Sequence, residues 1–217
     1  MPAPGIVIPF DISLHSHLTP YLAAIHASCI THDHTIATFL LPLSHEKLLS
    51  WWKERIAETN DGRRFMLLLV SELDPGGRIK GPELIGVVML WMPYSETGSF
   101  RGYVEKLLIH KLHRGKGGAR ALMSALETEA LNRGRTLLVG CAFDSSRARL
   151  ILFIFKGSKK QHYADLSLQL LDTESGSQAE AAFNRLGYTE LGKVPGYGMS
   201  PAGGLKDGTF FYKSLQL

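Results

Sequence analysis

The 217-residue chain is short of cysteine, and that sets the first limits on what it is. Cys29 and Cys141 cannot build a disulfide scaffold, and a chain of this length does not need one to fold. Long apolar runs are missing too. Leu150 to Phe155 covers six residues, far below the ~20 that a helix needs to cross a bilayer. At the start, Met1-Pro2-Ala3-Pro4-Gly5 offers no basic segment leading into an apolar stretch of roughly 7 to 15 residues, so it does not read as a signal peptide. These absences predict an intracellular, cytoplasmic protein with free thiols. With 45% hydrophobic and 20% charged residues, the composition excludes a disordered tail, collagen and a coiled coil.

The net charge of +4 is unevenly spread. Between Val139 and Gln169, Arg147, Arg149, Lys156, Lys159 and Lys160 stand against Asp144 and Asp165, which leaves about +1 for the rest of the chain. Outside that stretch there is no basic face, so charge argues against nucleic-acid binding.

Gly5 to Ile8, stopped by Pro9, suits an edge strand, and Leu18 to Ile30 carries Leu18, Leu22, Ile25 and Cys29 at helical spacing. Ser44 is placed to cap a second helix running to Thr59, with Leu48, Trp51, Trp52 and Ile56 as its apolar face. Strands follow at Phe65 to Val70, Leu84 to Trp91 and Tyr103 to Ile109. In the last, Val104, Lys106 and Leu108 alternate with Tyr103, Glu105, Leu107 and Ile109; both sets are largely apolar, which marks a central strand. Gly118 to Arg133 is a long helix stopped by Gly134, Ser177 to Leu186 a shorter one stopped by Gly187, and Tyr188 to Val194 and Thr209 to Ser214 are closing strands. This order predicts a single layered α/β domain.

Strand, basic glycine loop and helix meet at Val104 to Leu122. Glycines there let successive N–H groups converge, the helix start adds about half a positive charge, and Arg114 and Lys116 supply whole ones, which together suit a pyrophosphate. The loop is not a nucleoside-triphosphate loop, because Gly117 follows Lys116 where Ser or Thr is required. Nor is it a dinucleotide fingerprint, because Arg120 stands in place of the third glycine.

Arg114-Gly115-Lys116-Gly117-Gly118-Ala119 resembles the [QR]-x-x-G-x-[GA] cofactor loop of the GCN5-related N-acetyltransferases, and the order of elements is similar to that family over nearly the whole chain. Leu171 to Glu180, Leu186 to Thr189, Val194 to Tyr197 and Thr209 to Lys213 look most like the tabtoxin-resistance type. The resemblance implies a GNAT fold, with a mixed, mostly antiparallel sheet of six to seven strands flanked by about four helices. It implies acetyl-CoA as cosubstrate, no metal, and a small primary amine as acceptor, and leaves homodimerisation open. In that family the main chain of Leu107, Leu108 and Ile109 would hold the pantetheine arm, and Arg114, Gly115, Lys116, Gly117, Gly118, Ala119 and Arg120 the pyrophosphate. Glu105 stands where the family often takes the amine's proton, and Asp172, with Glu174 behind it, is a second carboxylate candidate. A glutamate inside a central strand is either hydrated in a cleft or partnered by a neighbouring side chain.

The chain departs from the family pattern in two places. The tyrosine that protonates the leaving thiolate is expected five residues before Tyr188, where Phe183 stands. And a strand that should run from Thr136 straight into Asp172 is interrupted by the 31 residues Val139 to Gln169; joining Leu138 to Leu170 would restore it. Two readings remain for this stretch: a translated intron, or an added lobe with Leu150 to Phe155 as an extra strand.

Weaker constellations are set aside. His26, Cys29, His32 and His34 offer a single thiolate, too little for a structural zinc site, and fit a pocket lining or a surface. Ser44 and Lys47 lack the other motifs of a serine hydrolase and read as a helix start; Trp51 and Trp52 read as core.

Overall fold

The computed structural model describes residues 5–33, 38–72, 79–140 and 171–216. Its strands are β1 (Ile6–Pro9), β2 (Arg64–Val70), β3 (Leu84–Trp91), β4 (Arg101–Ile109), β5 (Leu137–Gly140), β6 (Leu171–Glu174), β7 (Thr189–Met199) and β8 (Leu205–Ser214). The helices are α1 (Ile12–His15), α2 (Thr19–Asp33), α3 (His45–Asn60), α4 (Gly118–Asn132) and α5 (Gln178–Arg185). One mixed, mostly antiparallel sheet holds all the strands in the order β1-β2-β3-β4-β5-β8-β6, with β7 pairing β8. The sole parallel pair among the described strands is β4 with β5, joined through α4. The added strand expected at Leu150 to Phe155, His34 and most of Val139 to Gln169 lie outside the described residues.

Local chemistry sets the helix ends. Ser44 Oγ accepts from Lys47 N at 3.3 Å, so the Ser44 and Lys47 pair is a helix cap. At the end of α4, Arg135 N donates to Ala130 O and Gly134 N to Leu131 O, each at 2.8 Å, the paired closure that needs a left-handed residue; Gly134 supplies it at φ 69. Gly187, at φ 78, closes α5 the same way, and its following Tyr188 packs edge-on against Phe183, three residues inside the helix.

The sheet buries both faces. Leu67, Leu69, Val88, Leu90 and Val104 meet Leu122, Met123 and Leu126 of α4 on one side. On the other, Met66, Leu68, Val87 and Met89 meet Leu22 and Ile25 of α2 and Trp51 and Trp52 of α3. Both tryptophans are core residues, as their spacing predicted.

Inside that second core sits His26, 2% exposed and ringed by Phe39, Trp51 and Trp52, with Lys106 close enough to matter electrostatically. Burial first, and Lys106 second, hold its pKa well below the usual imidazole value. The folded chain therefore refuses a proton that the unfolded chain accepts. Stability from this site is present above about pH 6.5 and drains as pH falls below it. His26→Phe should flatten that loss: the melting temperature of the parent drops more between pH 7.5 and 5 than that of the variant, and parallel curves would contradict it.

Candidate functional site

β4 is regular as far as Glu105 and irregular directly after it. Met89 faces Glu105 while Val87 faces Leu108, so Lys106 and Leu107 together oppose Val88. Lys106 takes φ 49, a conformation uncommon for a residue with a Cβ. The extra residue breaks the expected alternation. Glu105 pairs with Arg64, which bonds Glu58 of α3 at 2.8 Å; Lys106 Nζ donates to Thr38 Oγ1 at 2.6 Å and lies 5.3 Å from the Trp51 ring centroid. Both side chains thus serve the α2 and α3 side of the sheet, whereas simple alternation would have put them on opposite faces.

Pairing between β4 and β5 ends at Val104 opposite Gly140. Beyond it, among the described residues, the main chain of Glu105 to Ile109 has no paired strand on that edge. A cleft of about 930 Å³ opens there. Its walls are β4, the end of α2 with Cys29 and Asp33, the glycine loop with the start of α4, and the stretch from Thr173 into α5.

The loop takes its shape from two glycines. Gly115 at φ 73 and Gly117 at φ 87 hold left-handed conformations that a side chain would strain, and Gly117 caps α4 by accepting from Ala121 N at 3.0 Å. The first N–H groups of α4 have no partner within the helix, and they start at the cleft. Gly115, Gly117, Gly118, Ala119 and Arg120 all line it, as do Leu107, Leu108 and Ile109. Lys116 is exposed and stands outside the lining.

Arg114 lines the cleft but its charge is already engaged. Its Nη1 and Nη2 donate to the two Asp33 oxygens at 2.5 and 2.8 Å, Nε donates to Ile109 O at 3.0 Å, and Nη2 also reaches Cys29 Sγ at 3.3 Å. Arg114 thus ties α2 to the end of β4, and Asp33 raises its pKa further. Asp33→Asn should release positive field into the cleft and tighten the binding of CoA roughly threefold at low salt, with the gain vanishing in 0.5 M salt. Calorimetry showing equal or weaker binding would contradict this.

Glu105 lines the same cleft, 4% exposed. Burial raises its pKa, opposed by Arg64 and then Lys106. Oε2 meets Arg64, while Oε1 has no hydrogen-bond partner among the described residues. The glutamate borders the cleft and is partnered by Arg64 of β2, two strands away. Asp172 sits in β6 with its main chain opposite Phe210, directly before Thr173 and Glu174, which line the cleft. Phe183 lines it too, buried and stacked on Phe211, and offers no proton.

Of the histidine and cysteine cluster, His26, Cys29 and His32 line the cleft, each held by its own neighbours. His26 is enclosed by aromatics, His32 bonds Ser28 O and Lys111, and Cys29 bonds Ile109 O, its thiol pKa raised by burial. No group of metal ligands occurs among the described residues, and no described helix is long and apolar enough to cross a membrane. Sequence reasoning missed Arg64 and Asp33. Arg64 had a signal, a lone charge opening an otherwise apolar strand; Asp33 had none.

The model of the acetyltransferase (GNAT) family matches residues 32–151. Among solved structures, the Salmonella typhimurium protein yncA, determined with its cofactor acetyl-CoA, superposes with a TM-score of 0.60 at 20% identity over 98% of this chain and 94% of its own. A candidate phosphinothricin N-acetyltransferase gives 0.63 at 15% identity over 98% and 99%. A Salmonella typhimurium acetyltransferase that modifies the N-terminal serine of ribosomal protein L7/L12 gives 0.62 at 15% over 97% and 94%. At these identities the likeness is one of fold.

Proposed function

Because this chain belongs to the acetyltransferase (GNAT) family, we propose that it carries the acetyl group of acetyl-CoA to a primary amine of a small, amino-acid-like molecule, the acceptor class of the tabtoxin-resistance enzymes that the sequence resembles. The observation that carries the reading is the join of three features at one cleft: the edge of β4 that no described strand pairs after Val104, the glycine loop at the start of α4, and the buried Glu105 between them. The burial of His26 and Glu105 where they line the cleft, at 2% and 4% exposed, favours a small acceptor over a protein chain. The phosphinothricin relative fits this choice, and the ribosomal-protein relative marks the alternative, a peptide amine.

On this reading the main chain of Gly115 to Arg120 grips the diphosphate, and the pantetheine arm lies along Leu107 to Ile109 as an added strand would. One main-chain N–H of β4 polarises the thioester carbonyl. Glu105 takes the amine's proton, directly or through water, as the nitrogen attacks the carbonyl carbon. The tetrahedral intermediate then collapses, the C–S bond breaks and CoA leaves as thiolate. With a thiol pKa near 8 to 9 that departure is tolerable without an acid, which suits a site where Phe183 replaces tyrosine. Asp172, directly before the cleft-lining Thr173 and Glu174 in β6, is the second carboxylate candidate. A second reading, a CoA-binding member impaired in catalysis, is favoured by Phe183 and by the interruption at residues 139–169.

Two measurements test the proposal. Saturating acetyl-CoA at about a hundred times Kd should raise the melting temperature by roughly 5 to 10 °C. A panel of small amines and N-terminal peptides should then release free CoA thiol with one class of small amine. Stabilisation without thiol release selects the impaired binder, release with peptides alone removes the small acceptor, and no stabilisation removes both.

A further inference from the structure

β5 and β6 lie end to end on one edge of β8. Leu137, Leu138 and Val139 face Ser214, Lys213 and Tyr212; Leu171, Asp172, Thr173 and Glu174 face Phe211, Phe210, Thr209 and Gly208. Passing from Val139 to Leu171, the pairing moves along β8 by a single residue, from Tyr212 to Phe211, with no position skipped. The sequence moves by 32 over the same step. A continuous strand would move by one, so 31 residues are in excess.

The sequence permits the same number. Every valine codon begins with GT, and one of the two glutamine codons is CAG, so the 31 codons from Val139 to Gln169 can open and close as an intervening sequence does, in frame. Removing them joins Leu138 to Leu170, puts Leu170 opposite Tyr212 and leaves Leu171 opposite Phe211. Apolar character and register both survive. An excess of any other length would have to be absorbed by a bulge or a slip, because one residue of slip sends each side chain of a strand to the other face.

We infer that Val139 to Gln169 are translated from an intervening sequence, and that the chain without them, 217 less 31 or 186 residues, is the form in which β5 and β6 make one strand beside the cleft. The excised chain also loses most of the excess positive charge. This inference stands on strand pairing and does not depend on the proposed activity.

Complementary DNA amplified across the codons for Leu138 and Leu170 should include a product 93 bases shorter, three for each of the 31 codons, with those two codons adjoining. Messages that all retain the segment overturn the inference. At the protein level, the full chain, a deletion of residues 139–169 and a deletion of residues 139–168 are melted side by side without cofactor. The 31-residue deletion should melt about 5 °C or more above the full chain, since a long closure within the strand is removed. The 30-residue deletion should melt well below the 31-residue one, its β6 being one position out of phase. If the first deletion melts no higher than the full chain, or the two deletions melt alike, the inference fails. Because no ligand is added, these outcomes stay readable even if acetyl-CoA does not bind.

Discussion

On the proposed mechanism Glu105→Gln should lower kcat about a hundredfold or more while acetyl-CoA still stabilises the protein, because the substitution would remove the proton acceptor and leave the diphosphate loop untouched. The pH profile carries the sharper signature. Burial raises the Glu105 pKa, with Arg64 opposing, so the parent's kcat/KM climbs through an acidic limb displaced above the ordinary glutamate range. In the variant that limb disappears. The same raised pKa has a sign for stability: the folded state holds its proton more tightly than the unfolded one, so the contribution of Glu105 is fully present at low pH and is lost as pH rises through the folded value. An active Glu105→Gln enzyme with the parent's pH profile would remove this residue from the proton path.

Gly117→Val is expected to raise the Kd for CoA roughly a hundredfold, since about two charge-assisted N–H contacts are misdirected and each is worth about 1.5 to 3 kcal/mol. The cause is the backbone. At φ 87 a β-branched residue costs on the order of 1 to 3 kcal/mol, and the loop relieves that strain by turning its N–H groups away from a common point. Gly115→Ala is the graded control. Its added Cβ would meet nothing within 4 Å, so only the strain of φ 73 is felt and the loss should be smaller. Binding measured by calorimetry on samples with matched circular dichroism decides it; a Gly117→Val protein that binds like the parent would detach the loop from the diphosphate.

Much of this architecture could be read from residue patterns, and the failures have definite causes. Leu84 to Trp91 was legible because an apolar run stops at Pro93, and α4 because its apolar residues recur at helical spacing up to Gly134. The last hairpin was read short. β7 extends through Pro195 and Gly196 to Met199, and β8 begins at Leu205, because irregular pairing around Val194 to Gly198 lets turn-forming residues remain in the ladder. The glycine loop and Glu105 were visible as local spacing. The partners that tune them were not: Asp33 and Arg114 are 81 residues apart and Arg64 and Glu105 are 41 apart, distances at which only the fold makes neighbours. The bulge at Lys106 was equally hidden, because one surplus residue in a strand changes the facing of its side chains without changing its composition.

That surplus residue sets the sheet's regularity against the site's chemistry. Deleting Lys106 would let β4 run in step with β3 and would spare a left-handed backbone at a residue with a Cβ. The shortened chain should therefore resist urea at least as well as its parent. It would also remove the Lys106 ammonium from the cleft wall, so the gain in order should come at the expense of turnover. In this strand an imperfect fit between neighbours shapes one wall of the cleft.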